Sequence, residues 1–121
     1  MAMQNRIMDE DHLPTLYSFV LVGMKYNGAT ARDALAYDKI VLVADPENAV
    51  DPNAIKVLGW EHASELRMLG HISMDTQPME GIHGKVPLHG TEGTIYKVYS
   101  SRARGQSVEM QIYLNHVSRY P

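Results

Sequence analysis

Three groups of side chains in this sequence could do chemistry. The stretch SSRARGQ, Ser100–Gln106, carries Arg102 and Arg104, whose planar guanidinium forks suit phosphate. Lys97 lies just upstream beside Tyr96 and Tyr99, an interleaving of cation and ring that suits a nucleic-acid strand. In an extended segment Tyr96 and Lys97 point to opposite faces, so at most one of them meets a given ligand. A solvated hairpin with packed tyrosines accounts for the same residues. The second group is the six histidines, at 12, 62, 71, 83, 89 and 116. They show no HExxH or HxH spacing, and His83 and His89 merely share a glycine-rich stretch, so no metal site is expected. The third group is DPENAVDPN, Asp45–Asn53. It lacks the position-six glycine and the closing glutamate of a calcium loop, and its carboxylates read as turn caps. No GxSxG or GxxxxGK[ST] pattern occurs. The expectation is a protein without catalytic signature, metal or cofactor.

Composition sets the frame for those residues. A chain of 121 residues, 45% hydrophobic and 21% charged, fits one globular domain with a core of its own. There is no cysteine, which excludes disulfides, thiol catalysis and iron–sulfur clusters and fits a reducing cytoplasm. The opening MAMQNRIMDEDHL carries Asp9, Glu10 and Asp11 and no apolar core, unlike a signal peptide. No 18-residue apolar run is present, so no membrane span is expected. The net charge of −3 is unevenly placed. Residues 1–80 hold six Lys/Arg against twelve Asp/Glu, whereas residues 81–121 hold five, Lys85 among them, against two. A dipolar surface of this kind can take a polyanion on one face.

The elements that must position these side chains are mostly extended. Leu16–Met24 and Lys39–Ala44 read as strands, the second apolar enough to be buried on both faces. Asp45–Asn53 is a structured turn, followed by a strand at Ala54–Leu58 with Ile55 and Val57 on one face and Lys56 on the other. ATARDALA makes one or two helical turns at most. Gly59–Leu66 reads as a loop or short helical insertion, Arg67–Ile72 as a strand, and Ser73–Glu80 as the start of a short helix limited by Pro78. Thr94–Ser100 and Ser107–Leu114 alternate at period two and form a hairpin. The sum is a small, mostly-β barrel of about six strands with one or two short helices. It is bounded by a flexible leader at 1–14 and a tail at 116–121, with the domain at 15–115.

Several of these segments resemble one family. Val22-Gly23-Met24-Lys25-Tyr26 ends the first strand, Asp45-Pro46-Glu47-Asn48-Ala49-Val50-Asp51-Pro52-Asn53-Ala54-Ile55-Lys56-Val57 forms the long turn and strand, and Gly70-His71-Ile72 follows. In this order the chain resembles the HIRAN domain over about residues 16–114. The resemblance implies a modified OB-like barrel that binds DNA, single strands or strand ends, in a repair or replication setting. In bacteria that domain also occurs as a small free-standing protein, the form this chain looks like. Lys25 and Tyr26 match the family's basic–aromatic pair, suited to phosphate neutralisation and base stacking. Asp51 matches the acid that meets a terminal sugar hydroxyl, while by its residue type it caps its own turn. The candidate nucleic-acid-binding residues are Lys25, Tyr26, Asp51, Lys85, Lys97, Arg102 and Arg104.

Two positions depart from the end-binding members of the family. Ala49-Val50 stands where they carry Pro-Tyr, and Ser73-Met74 stands where they carry a lysine pair. A stacking ring and a phosphate contact are thereby missing, and little preference for a free 3′ end is expected. The alternative from another class is a protein-interaction or assembly module that has lost the pocket and pairs, as a homo-oligomer or with a partner, through exposed strand edges.

Overall fold

The structure is a computed structural model, and it describes residues 16–62, 65–76, 86 and 93–119. The expected leader at 1–14, Lys85 and three of the histidines (12, 83 and 89) lie outside the described residues. Six strands are present among the described residues: β1 Leu16–Val22, β2 Lys39–Ala44, β3 Ile55–His62, β4 Glu65–Ile72, β5 Thr94–Arg104 and β6 Ser107–Arg119. They close into one barrel in the order β1-β4-β3-β2-β5-β6. Every neighbouring pair is antiparallel. The mostly-β barrel expected from the sequence is the observed fold.

The inward positions follow the period-two alternation of each strand. Phe19 and Leu21, Ile40 and Leu42, Val57, Tyr96, Met110 and Ile112 are all at or below 1% exposure and share one core. β2 is buried on both faces, as its apolar run predicts. Its outward residues Val41 and Val43 join Ile95 in a second cluster, with Leu58, Trp60 and Leu66 packed against it. Lys56 is half-buried on the face opposite Ile55 and Val57.

That outer cluster explains the main departure from the sequence reading. The described residues of Gly59–Leu66, 59–62 and 65–66, are strand rather than loop or helix. β3 runs on to His62 and β4 begins at Glu65, because Trp60 and Leu66 face each other across the pair and extend the outer apolar patch. The other corrections are smaller. β1 stops at Val22 rather than Met24. The Ser73–Glu80 helix reduces, within the described residues, to a 3-10 turn at Met74–Thr76. β6 continues to Arg119, pairing Arg119 with Thr94, so the expected tail at 116–121 carries strand backbone over most of its length. The one α-helix among the described residues, α1 at Ala31–Leu35, has five residues. It is held by a capping box in which Thr30 and Asp33 bond reciprocally, and by an Asp33–Arg67 ion pair at 3.3 Å.

Candidate nucleic-acid interface

Gly23 decides where Lys25 and Tyr26 point. Its φ of 78° lies in the left-handed region, which favours a residue without a Cβ. The chain therefore leaves β1 abruptly and enters a 3-10 turn at Met24–Asn27. Met24 plugs into the core at 3% exposure, and the Asn27 amide donates back to the Gly23 carbonyl at 3.2 Å. With Met24 turned inward, its two successors are thrown outward. Tyr26 is 81% exposed, and the Lys25 ammonium lies 5.2 Å from the centre of its ring. The pair borders an open groove of about 550 Å³, whose opposite wall is the β5–β6 turn at 105–107.

The Asp45–Asn53 loop is built from its own polar side chains. Asn48 Oδ1 accepts from the backbone N–H groups of Val50 at 2.9 Å and Asp51 at 3.0 Å, while its amide donates to Asp45 Oδ2. Asp45 Oδ2 also meets His71 Nε2 at 3.2 Å. Burial acts to raise the Asp45 pKa, but the hydrogen bonds from His71 and Asn48, with the charge of Lys56, outweigh it and hold the carboxyl below its ordinary value. His71 is in place because Gly70 lets β4 approach β1: a Cβ on Gly70 would stand 2.2 Å from the Val22 carbonyl oxygen. Three sequence segments that are far apart in the chain, around Val22, Asp45 and His71, are thus neighbours in space.

Asp51 has a structural task. Its Oδ1 accepts from the Asn53 N–H at 2.9 Å, the turn cap that its residue type suggests. It makes no hydrogen bond or ion pair with Lys25 or Tyr26. Val50, by contrast, is 80% exposed.

The basic hairpin is less free than the sequence suggests. β5 and β6 extend to Arg104 and Ser107, which leaves only Gly105-Gln106 as the turn. This register sets Arg102 opposite Glu109. Arg102 Nε donates to Glu109 Oε1 at 2.7 Å and Arg104 NH1 to Oε2 at 2.8 Å. The hydrogen bond from Arg102, aided by the charges of both arginines, lowers the Glu109 pKa. Two guanidiniums against one carboxylate still leave a net positive tip. Glu109 could have been found from the sequence by counting back from a two-residue turn. Tyr96 is in the core at 0% exposure, and Lys97 faces solvent, so Lys97 is the member of that pair available to a ligand. The sequence did not show that Lys97 stands opposite Lys39, a pairing between strands remote in the chain.

Lys25 and Tyr26 therefore share a groove with the Gly105–Ser107 turn, Arg102 and Arg104 line a separate groove with Glu109, Asp51 belongs to its own loop, and Lys97 lies farther along β5. Among the described residues no three His, Asp or Glu side chains are placed to hold a metal ion, and no helix is long and apolar enough to cross a membrane. Comparison of the chain with known protein families, curated proteins and solved structures finds no match in any of the three.

Proposed function

We propose that this protein is a HIRAN-like, non-enzymatic module that binds single-stranded nucleic acid, foremost DNA strands, through the Lys25–Tyr26 groove. The observation that carries the reading is the Tyr26 ring, 81% exposed and topped by the Lys25 ammonium. The turn is anchored by Met24 and Asn27, so neither Lys25 nor Tyr26 is needed to hold it. An exposed ring offers a stacking face to any base, and the adjacent ammonium reaches the neighbouring phosphate. Arg104 stands one residue before the turn that forms the opposite wall, but its guanidinium is paired with Glu109 and lines a separate groove.

A repair or replication setting follows from the family resemblance alone. The protein-interaction alternative drew on exposed strand edges. Ring closure leaves no strand an edge along its full length, but β1 before Leu21 and β5 beyond Lys97 each keep a single strand partner, and these are the edges that the alternative would use.

The test is a fluorescence-anisotropy titration with a labelled oligothymidylate, comparing the parent with the Lys25→Ala/Tyr26→Ala double variant. Loss of one stacked base at about 1–3 kcal/mol corresponds to a five- to 150-fold weaker Kd, roughly. Binding by the parent should also weaken as salt rises. A double variant that titrates like the parent removes the groove from the mechanism.

A further inference from the structure

The outer face of the barrel carries a second gathering of cations and rings. Lys39 of β2 is directly opposite Lys97 of β5 in the antiparallel register. Both are exposed, and neither has a carboxylate within 4.0 Å among the described residues. Like charges facing each other across a strand pair destabilise it, so the fold bears this pair at a loss. Rings extend the row on both sides. The Lys39 ammonium lies 5.4 Å from the centre of Trp60 on β3. Tyr113 of β6 is directly opposite Lys97, and Tyr99 meets it edge to face with centroids 5.3 Å apart. Across four adjacent strands the order is Trp60, Lys39, Lys97, Tyr113, a span of about 14 Å at the usual strand spacing.

We propose that the Lys39–Lys97 pair, between Trp60 and Tyr113, is a second contact site for single-stranded nucleic acid, continuing along β5 the track that starts at the Lys25–Tyr26 groove. The substrate class rests on the reading of that groove. A phosphate seated between the two ammoniums relieves their repulsion, and the flanking rings take bases on either side of it. Drawing Lys39 onto a phosphate also uncovers the face of Trp60. From Lys97 to Arg104 the strand covers about 23 Å. Its outer face carries Ser100, hydrogen-bonded to Gln111, and then Arg102 and Arg104. That length fits the sites of roughly 4–16 nucleotides used by small barrels on single strands.

Carboxylates limit the path. Glu109 lies on it beneath the two arginines. Asp38 and Glu61 line the groove of about 560 Å³ beside Lys39 and Trp60, with Glu61 accepting from the Tyr37 hydroxyl at 3.0 Å. The phosphates therefore pass on the Lys97 side of Lys39, away from that groove.

Trp60 is the only tryptophan in the chain, so its emission reports on this row and not on Tyr26. The experiment titrates an oligothymidylate of about 16 nucleotides into the full chain, following Trp60 emission and the anisotropy of a labelled end. Binding should change Trp60 emission. Lys39→Gln with Lys97→Gln keeps the aliphatic stems and removes two phosphate contacts. It should lower the slope of log affinity against log salt by about 1.4 and weaken binding about 25-fold at about 0.1 M salt. Lys39→Glu sets opposite charges across the strand pair, so the fold should tolerate it and binding should fall further. Lys25→Ala/Tyr26→Ala should weaken binding yet keep the emission change at saturation. A Lys39/Lys97 variant with parental affinity and slope overturns this proposal while leaving the groove reading standing. Loss of binding confined to the Lys39/Lys97 variants sinks the groove reading and keeps the row. A parent that does not bind the oligonucleotide ends both.

Discussion

The Asp45–Asn53 loop and the Met24–Asn27 turn sit near each other in the fold and use their polar side chains in opposite ways. In the loop, Asp45, Asn48 and Asp51 are occupied with one another, with backbone N–H groups and with His71. In the turn, the structural work falls to Gly23, Met24 and Asn27, which leaves Lys25 and Tyr26 outward. Polar residue types alone do not separate a binding segment from a self-supporting one. What separates them is whether the side chains are already satisfied inside the fold.

The sharpest way to break this comparison is to truncate one side chain in each segment and measure stability by urea unfolding. Asn48→Ala leaves two backbone N–H groups without their acceptor and leaves Asp45 Oδ2 with His71 as its remaining side-chain partner. It should lower stability by about 2 kcal/mol, seen as a lower urea midpoint. Lys25→Ala/Tyr26→Ala should change it by no more than about 0.5 kcal/mol, as expected for surface positions. Equal losses in the two variants would erase the distinction.

A smaller effect separates the segments by pH. The Asp45 carboxyl titrates below its ordinary 3.8 in the folded chain. A group with a depressed folded pKa contributes stability that is fully present above its unfolded value and is lost as the pH falls through the folded one. The stability advantage of the parent over Asp45→Asn should therefore hold at neutral pH and shrink once the pH drops below about 3.8. No such convergence should accompany the Lys25/Tyr26 variant. Urea midpoints measured from pH 6 down to about pH 3 check both statements. An advantage that stays constant through that range would detach Asp45 from the loop's support.

The fold was legible where local pattern and burial agree. β2 shows its double burial in KIVLVA, and the β5–β6 hairpin shows its alternation. β3 and β4 were cut short because EHASEL carries polar and helix-favouring residues, and only the outer cluster around Val41 explains why the strands continue. Lys25 and Tyr26 are singled out only by the family resemblance; their exposure depends on Gly23 ending β1 two residues before the expected strand end. The engagement of Arg102 and Arg104 by Glu109 depends on hairpin register. The Lys39–Lys97 pair depends on barrel closure between β2 and β5, which nothing local encodes.

The smallest expected effect tests whether the loop can be turned into a binding segment. Val50 is 80% and Met74 60% exposed, so replacing either side chain disturbs little packing. The Val50 N–H keeps its bond to Asn48 whatever side chain it carries. Val50→Tyr adds a ring that can stack on a terminal base, and Met74→Lys adds a cation for the phosphate behind it. Asp51 Oδ1 is engaged by Asn53, and among the described residues no hydrogen bond is made by its other oxygen, which is left to accept from a sugar hydroxyl. The double variant should bind a strand with a free 3′ end about fivefold more tightly, the lower end of one stacked base. The parent should prefer that strand to the same strand with a 3′-phosphate by less than about tenfold, a difference under about 1.4 kcal/mol. The check is a pair of anisotropy titrations with free and blocked ends, run on both proteins. A preference above tenfold in the parent would mean that the loop already captures strand ends without a ring at position 50. A binding loop and a self-supporting loop would then be the same loop, and the contrast with the Lys25–Tyr26 turn would lose its basis.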